Sequence, residues 1–266
     1  MRYQTNTVHI AIASLLMLVS VSAYSQEDSI ATDRPDFVES SDTVGTGRWQ
    51  IETGLSRERD SQPGITDRTD TTPTLFRFGV SPHWELRLET DGKVNNHHEE
   101  FGATTTTNGF ADIALGTKVQ LQAADATAGV AGIAVLLHVD VDSGSAAFRG
   151  KGLRPSARAV WEKDLPADTS LGVMWGAVYD QNEDRRFVSG ILAATYGKQF
   201  TARLHGFIEV AGQQLAHQRD GGCIVTVDTG FSYLLGNDTQ VDVGVFKGFN
   251  DNSPDLSYGI GFSIRI

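Results

Sequence analysis

The sequence predicts an all-β chain: a transmembrane, antiparallel, up-and-down β-barrel of about twelve strands behind a cleaved signal peptide. Three observations predict it. The N-terminus is ordered like an export leader, the rest repeats short segments of alternating apolar and polar residues, and short turns alternate with long polar loops.

In the leader, Arg2 supplies one positive charge and Ile10 to Val21 is apolar. Ala23 and Ser25 then hold the small-residue positions before a cleavage point ahead of Gln26. This is the secretory pattern, and the apolar stretch falls short of the ~20 residues that a spanning helix needs. Residues 1–25 are thus assigned to a signal peptide, 26–47 to a polar N-terminal extension and 48–266 to an outer-membrane barrel. The extension, with its run Thr32-Asp33-Arg34-Pro35-Asp36-Phe37, shows neither helical nor two-residue periodicity. It is expected in the periplasm or inserted into the lumen, where Asp33, Arg34 and Asp36 would act as plug residues pairing with wall charges.

Composition narrows the class further. Mean hydropathy is −0.20 and hydrophobic residues make up 40%, which excludes a helical membrane protein but not a barrel, whose alternating strands cancel in any window average. The single cysteine, Cys223, cannot form an intramolecular disulfide. An exported domain must then be held by other means, and a closed hydrogen-bonded barrel is one. The formal net charge of −11 argues against nucleic acid or an anionic lipid surface as partner.

Period-two alternation begins at Trp49, with Ile51, Thr53 and Leu55 on its face. It returns at Thr74-Phe76-Phe78-Val80 and is clearest at Trp84-Leu86-Leu88-Thr90, where Glu85, Arg87, Glu89 and Asp91 take the other face. A long polar loop is expected over residues 92–108. Further strands follow at Ile113–Leu121, Ala131–Val139, Ala157–Trp161, Leu171–Tyr179, Val188–Tyr196, Leu204–Val210, Val225–Tyr233, Val241–Val245 and Tyr258–Ile266. An even strand count places both ends of the barrel on the periplasmic side. Trp49, Trp84, Trp161, Tyr179, Tyr196 and Tyr233 lie near strand ends, as interfacial girdles do. A water-soluble β-sandwich also alternates, but need not run turn and loop in strict succession.

With the apolar faces in lipid, the opposite faces line the lumen. Solute-path candidates are Glu52, Arg77, Glu85, Arg87, Glu89, Asp112, Lys118, Arg158, Arg203, Glu209 and Asp242. Mixed signs at this density imply a polar interior with ion pairs, which either only rigidify the wall or also form a selectivity lining. No catalytic motif, P-loop or paired-cysteine zinc spacing occurs, so neither an enzyme nor a cofactor or metal is expected. His97-His98-Glu99-Glu100 has ligand chemistry but reads as a solvated loop.

Several segments resemble a known family. Thr32-Asp33-Arg34-Pro35-Asp36-Phe37 followed by Gly47-Arg48-Trp49-Gln50-Ile51-Glu52-Thr53-Gly54 is similar to the opening of the MetA-pathway phenol-degradation family of outer-membrane proteins. Leu75–Val80 with Trp84–Leu88 resembles its next hairpin, and Gly109–Lys118 its G-x-x-D-x-x-x-G-x-K strand; Asp228–Leu234 and Gln240-Val241-Asp242 also fit. Ile266 stands where such barrels end in an aromatic residue. The resemblance implies a transporter-like barrel in the outer membrane of a Gram-negative cell, with a link to aromatic compounds. Its expected partners are outer-membrane lipid, a small solute and the barrel-assembly machinery during insertion. The expected function is passive diffusion of a small solute through a polar, charge-lined lumen. The alternative is a plugged structural or adhesion barrel acting through its extracellular loops.

Overall fold

The computed structural model describes residues 29–182 and 185–266. The leader assigned to residues 1–25 and the start of the extension lie outside the described residues.

Fifteen β-segments form one antiparallel sheet: β1 (Trp49–Gln62), β2 (Ile65–Thr71), β3 (Thr74–Ser81), β4 (Trp84–Thr90), β5 (Lys93–Glu100), β6 (Ala103–Phe110), β7 (Ile113–Gln122), β8 (Gly132–Val141), β9 (Arg154–Leu165), β10 (Thr169–Gln181), β11 (Arg186–Gln199), β12 (Leu204–Leu215), β13 (Cys223–Gly236), β14 (Thr239–Gly248) and β15 (Leu256–Arg265). The ring runs β1-β3-β4-β7 and then in sequence from β8 to β15, which pairs back onto β1, giving twelve strands and no open edge. Closure meets the demand that lipid offers no partner for backbone groups. The seam is finished by a reciprocal pair of hydrogen bonds, Trp49 N to Ile266 O (2.9 Å) and Ile266 N to Trp49 O (2.7 Å).

The other three segments are continuations of ring strands past a break. β2 leads into β3 through Thr72-Pro73, β4 into β5 through Asp91-Gly92, and β6 into β7 through Ala111-Asp112. The ladder bridges the breaks: Gly54 N donates to Pro73 O, Thr72 N to Asp91 O and Ala111 N to Gly92 O, at 2.9–3.0 Å. Gly92 takes φ +64°, where a Cβ would lie 2.4 Å from Thr72 O. The distal half of β1 with β2, β5 and β6 thus raises the wall on the long-loop side. This corrects the expected polar loop at residues 92–108, most of which is the β5–β6 hairpin. Lys93–Glu100 and Ala103–Phe110 carry Thr and Asn on both faces, because both faces meet water there. An apolar stripe is the signal that reveals a strand within lipid, and here none is needed.

Apolar side chains such as Leu55, Leu86, Leu115, Leu192, Ile208 and Ile260 are exposed on the outer face. Trp49, Trp84, Tyr196, Tyr233 and Phe262 form an aromatic ring at the short-turn end, the periplasmic end of such barrels.

The interior is filled from that same end. Residues 29–47 enter beside the β13–β14 turn, where Ile30 N donates to Asn237 O (2.6 Å), and leave along β3, where Gly47 N donates to Gly79 O (2.7 Å). Gly79 makes this exit path fit: a Cβ there would stand 1.6 Å from Gly45 O, a backbone atom. Gly79→Ala is therefore expected to displace the extension and raise ion leak through planar bilayers while leaving the barrel's β signal in circular dichroism unchanged.

Inside, the wall of β1, β3, β4 and β7 is charged, and the facing wall carries an apolar patch among scattered charges. Val38 packs on Leu136, Val160, Met174, Ile191, Ala193 and Ala211 from β8 to β12, with Phe37 beside them. The expected polar, charge-lined lumen is interrupted by this apolar patch. In β8 and β11 the inward Leu136 and Ile191 are as apolar as their outward neighbours, so the lumen face shows there only at residues such as His138, Asp140 and Ser189.

Candidate functional site

Alternation along β1, β3, β4 and β7 brings Glu52, Arg77, Glu85, Arg87, Glu89 and Lys118 into the lumen, and all but Glu89 are buried. Residues directly opposite across neighbouring strands share a face, and here Arg77 lies opposite Arg87 and Glu85 opposite Lys118. Two adjacent guanidinium groups need shared anions. Arg77 donates to Glu85 (2.8 and 3.0 Å) and Glu52 (3.0 Å), and also to the carbonyls of Ala31 (2.9 Å) and Asp42 (2.8 Å) on the extension. Arg87 donates to Asp33 (2.6 Å), Glu85 (3.1 Å) and Glu89 (2.7 Å), and its Nη2 stands 2.9 Å from Glu39 Oε2.

Asp33 completes this wall from the extension. Lys118 Nζ donates to both its oxygens (2.9 and 3.0 Å), and Arg77 stands 3.5 Å away. Burial works against its ionisation, but Arg77, Lys118 and Arg87 together hold its carboxyl well below the usual range. The wall grips backbone as well, since Asp33 N donates to Glu52 (2.9 Å) and Val44 N to Glu85 (3.0 Å).

Across the lumen the extension is held mainly by carboxylates that accept its amides. Phe37 N and Val38 N both donate to Glu209 on β12 (2.8 Å each), and Ser41 N donates to Glu162 on β9. Arg34 pairs with Asp242 on β14 (3.2 Å), and Arg158 on β9 with Glu39. Asp36, at the tip, is pushed well above the usual carboxyl range by burial and then by Glu209. A carboxyl that binds its proton more tightly when seated loses seating stability as pH rises above its ordinary value. Asp36→Asn should accordingly lower the open probability at pH 7 and above, with little effect near pH 4, as read from single-channel recordings.

The extension divides the interior into two cavities. One of about 420 Å³ opens toward the short turns and is lined by Ser41, Glu162, Thr195, His205 and Gln240 among others. The other, about 750 Å³, faces the long loops and is lined by Arg87, Glu89, Asp140, Arg154 and Arg158 among others. Arg34, Pro35 and Asp36 line both.

Of the solute-path candidates named from the sequence, Glu52, Arg87, Glu89, Asp112, Arg158 and Arg203 line these spaces, whereas Arg77, Glu85, Lys118, Glu209 and Asp242 line neither and are engaged by the extension. Asp112 lines the outer cavity, but its carboxylate is engaged: it accepts from Gly144 N, Gly150 N (2.8 Å each) and Arg154 (2.6 Å), anchoring the β8–β9 loop inward. Arg203 sits in the exposed β11–β12 turn at the rim of the inner cavity, off the strand faces. His97 and His98 fall on opposite faces of β5, since adjacent strand residues alternate; among the described residues no group of His, Cys, Asp and Glu is arranged to hold a metal. The sequence reading missed Glu39, Gln50 and His138. Gln50 and His138 lie in step with recognised inward residues and were open to detection by alternation, whereas Glu39 sits in the aperiodic extension and gave no signal.

A closed twelve-strand ring, apolar outside and charged within, with a cavity at each end, defines the class of outer-membrane β-barrels. A family model matches residues 32–266, so the chain belongs to the family described as "Putative MetA-pathway of phenol degradation". Among solved structures, it is similar to the COG4313 outer membrane channel from Pseudomonas putida F1, with 10% identity, a TM-score of 0.60, and coverage of 85% of this chain and 98% of that one. It is also similar to the KdgM porin, with 14% identity, a TM-score of 0.50, and coverage of 81% and 98%. At these identities the likeness is one of fold. No curated protein matches.

Proposed function

We propose that the chain is a passive outer-membrane channel for small solutes, exported by its leader, inserted by the barrel-assembly machinery and closed at rest by its own N-terminal extension. One observation carries this reading: the two cavities lie on either side of the same short segment, and Arg34, Pro35 and Asp36 line both. Displacing that segment joins them without moving a strand. The ring of hydrogen bonds makes strand movement costly, whereas the extension is bound by side chains that can re-pair with water.

The lining favours a small solute with an apolar face and a polar or charged group. Leu136, Met174 and Ile191, covered by Val38 and Phe37 while the extension is seated, border the path once it leaves, and Arg87, Arg154 and Arg158 stand on the outer cavity's wall together with Glu89, Asp91 and Asp140. A small aromatic compound with a polar substituent has this chemistry, in keeping with the family's description. The test is flux into proteoliposomes of an aromatic carboxylate, a neutral aromatic of equal size and a sugar. Faster entry of either aromatic than of the sugar supports the proposal, and no protein-dependent entry of any of the three would overturn it. The density of buried pairs on the extension favours a second reading, a permanently plugged barrel that works through its outer loops. Single-channel recording of the full-length protein separates the two, because a permanently plugged barrel shows no openings.

A further inference from the structure

The raised part of the wall sorts its charges by face. Register places Arg59, Arg68 and His97 directly opposite one another across β1, β2 and β5. They share the outer face with Leu55 and Arg57, because β1 pairs without a break from Gln50 to Arg59. The next row on the inner face holds Asp60, Asp67 and His98, and Glu58 and Asp91 also face inward, into a cavity of about 550 Å³ at the mouth. A segment that was merely solvated would gain nothing from this sorting. Like charges set directly opposite destabilise a sheet, and on this face Asp70 is the carboxylate near Arg68, already bonded to Arg57, so the Arg59–Arg68 pair is only partly offset. Arg59 Nε donates to Ser61 (3.2 Å), while Arg68 Nε is buried without a hydrogen-bond partner.

Just below this row the outer surface is notched where strands 2 and 3 of the ring break. The notch, about 370 Å³, has Leu55, Tyr258 and Ile260 on its apolar side and Arg57 and Lys93 on its polar side. Arg57 is occupied by Asp70 (3.0 Å from Nη2 to Oδ2), but Lys93 has no ion-pair partner among the described residues. The apolar side is continuous with the lipid-facing band, and the basic row stands above it on the long-loop side.

We propose that this face binds the phosphorylated head group of an outer-leaflet lipid, with an acyl chain in the notch and phosphate on Arg59, Arg68 and Lys93. Charge complementarity and continuity with the lipid band select this occupant: a soluble anion has no use for the apolar notch, and a neutral lipid has none for opposed arginines. The chain-wide charge of −11 hid the face, because so many of the local carboxylates point inward.

The test uses the full-length protein folded in detergent, with native mass spectrometry reading bound bisphosphorylated lipid A, its dephosphorylated form, or neither. One phosphorylated lipid should be retained per barrel. Each basic residue near a lipid surface contributes about 1 kcal/mol, so Arg59→Gln with Arg68→Gln should weaken retention about thirtyfold. Relief of the opposed charges should leave heat-modifiable gel mobility intact, and Arg59→Lys with Arg68→Lys should restore much of the binding. Equal retention of the dephosphorylated lipid, or no effect of the glutamine pair, would overturn the proposal. Full displacement by inorganic phosphate would overturn the lipid assignment in favour of a small-anion site.

Discussion

Arg77→Ala should be the most damaging single substitution in the barrel. Its guanidinium is wholly buried and touches Glu52, Glu85 and two carbonyls of the extension. Breaking a buried ion pair from one side leaves the other charge stranded, which costs about 3–5 kcal/mol. Here Glu52 loses its one ion-pair partner among the described residues, Glu85 keeps only Arg87, and Asp33 keeps only Arg87 and Lys118. The expected result is a marked fall in the temperature at which the folded band is lost on gels, together with an elevated resting leak. Arg77→Lys, which keeps the charge but cannot serve four acceptors with a planar fork, should fall between. Arg57→Ala removes a partly exposed pair with Asp70 and should leave the melting temperature close to wild type, as surface pairs do. Equal effects at Arg77 and Arg57 would show that the lumen network contributes nothing special.

The contrast between these two arginines also shows what the sequence could and could not reveal. Both lie on strands of alternating pattern, and alternation assigned Arg77 to the lumen correctly because Phe76 and Phe78 flank it with apolar neighbours that require lipid. The ring strands were legible for the same reason: a one-residue slip would turn every side chain to the wrong face. Beyond the lipid that constraint lapses, and so β2, β5 and β6 left no apolar trace. Inside the barrel it lapses again at Leu136 and Ile191, because a lumen filled by protein accepts apolar residues as readily as lipid does. The path of residues 29–47 was least legible. It is set by long-range pairs such as Arg34 with Asp242 and Phe37 N with Glu209, and no local pattern encodes a partner more than a hundred residues away.

Removal of residues 29–45 should convert the closed barrel into an open one. The deletion joins the two cavities and exposes Glu209, Arg87 and Lys118 to water, which can solvate them in place of the extension. The ring itself loses no strand-to-strand hydrogen bond. Single-channel conductance in planar bilayers, full-length protein against deletion, is the most direct measurement of the central claim that the extension alone separates the two ends of the lumen. Frequent closures in the full-length protein and a steady, several-fold larger conductance in the deletion are predicted. A deletion that folds, shows heat-modifiable mobility and yet conducts no more than the full chain would contradict it.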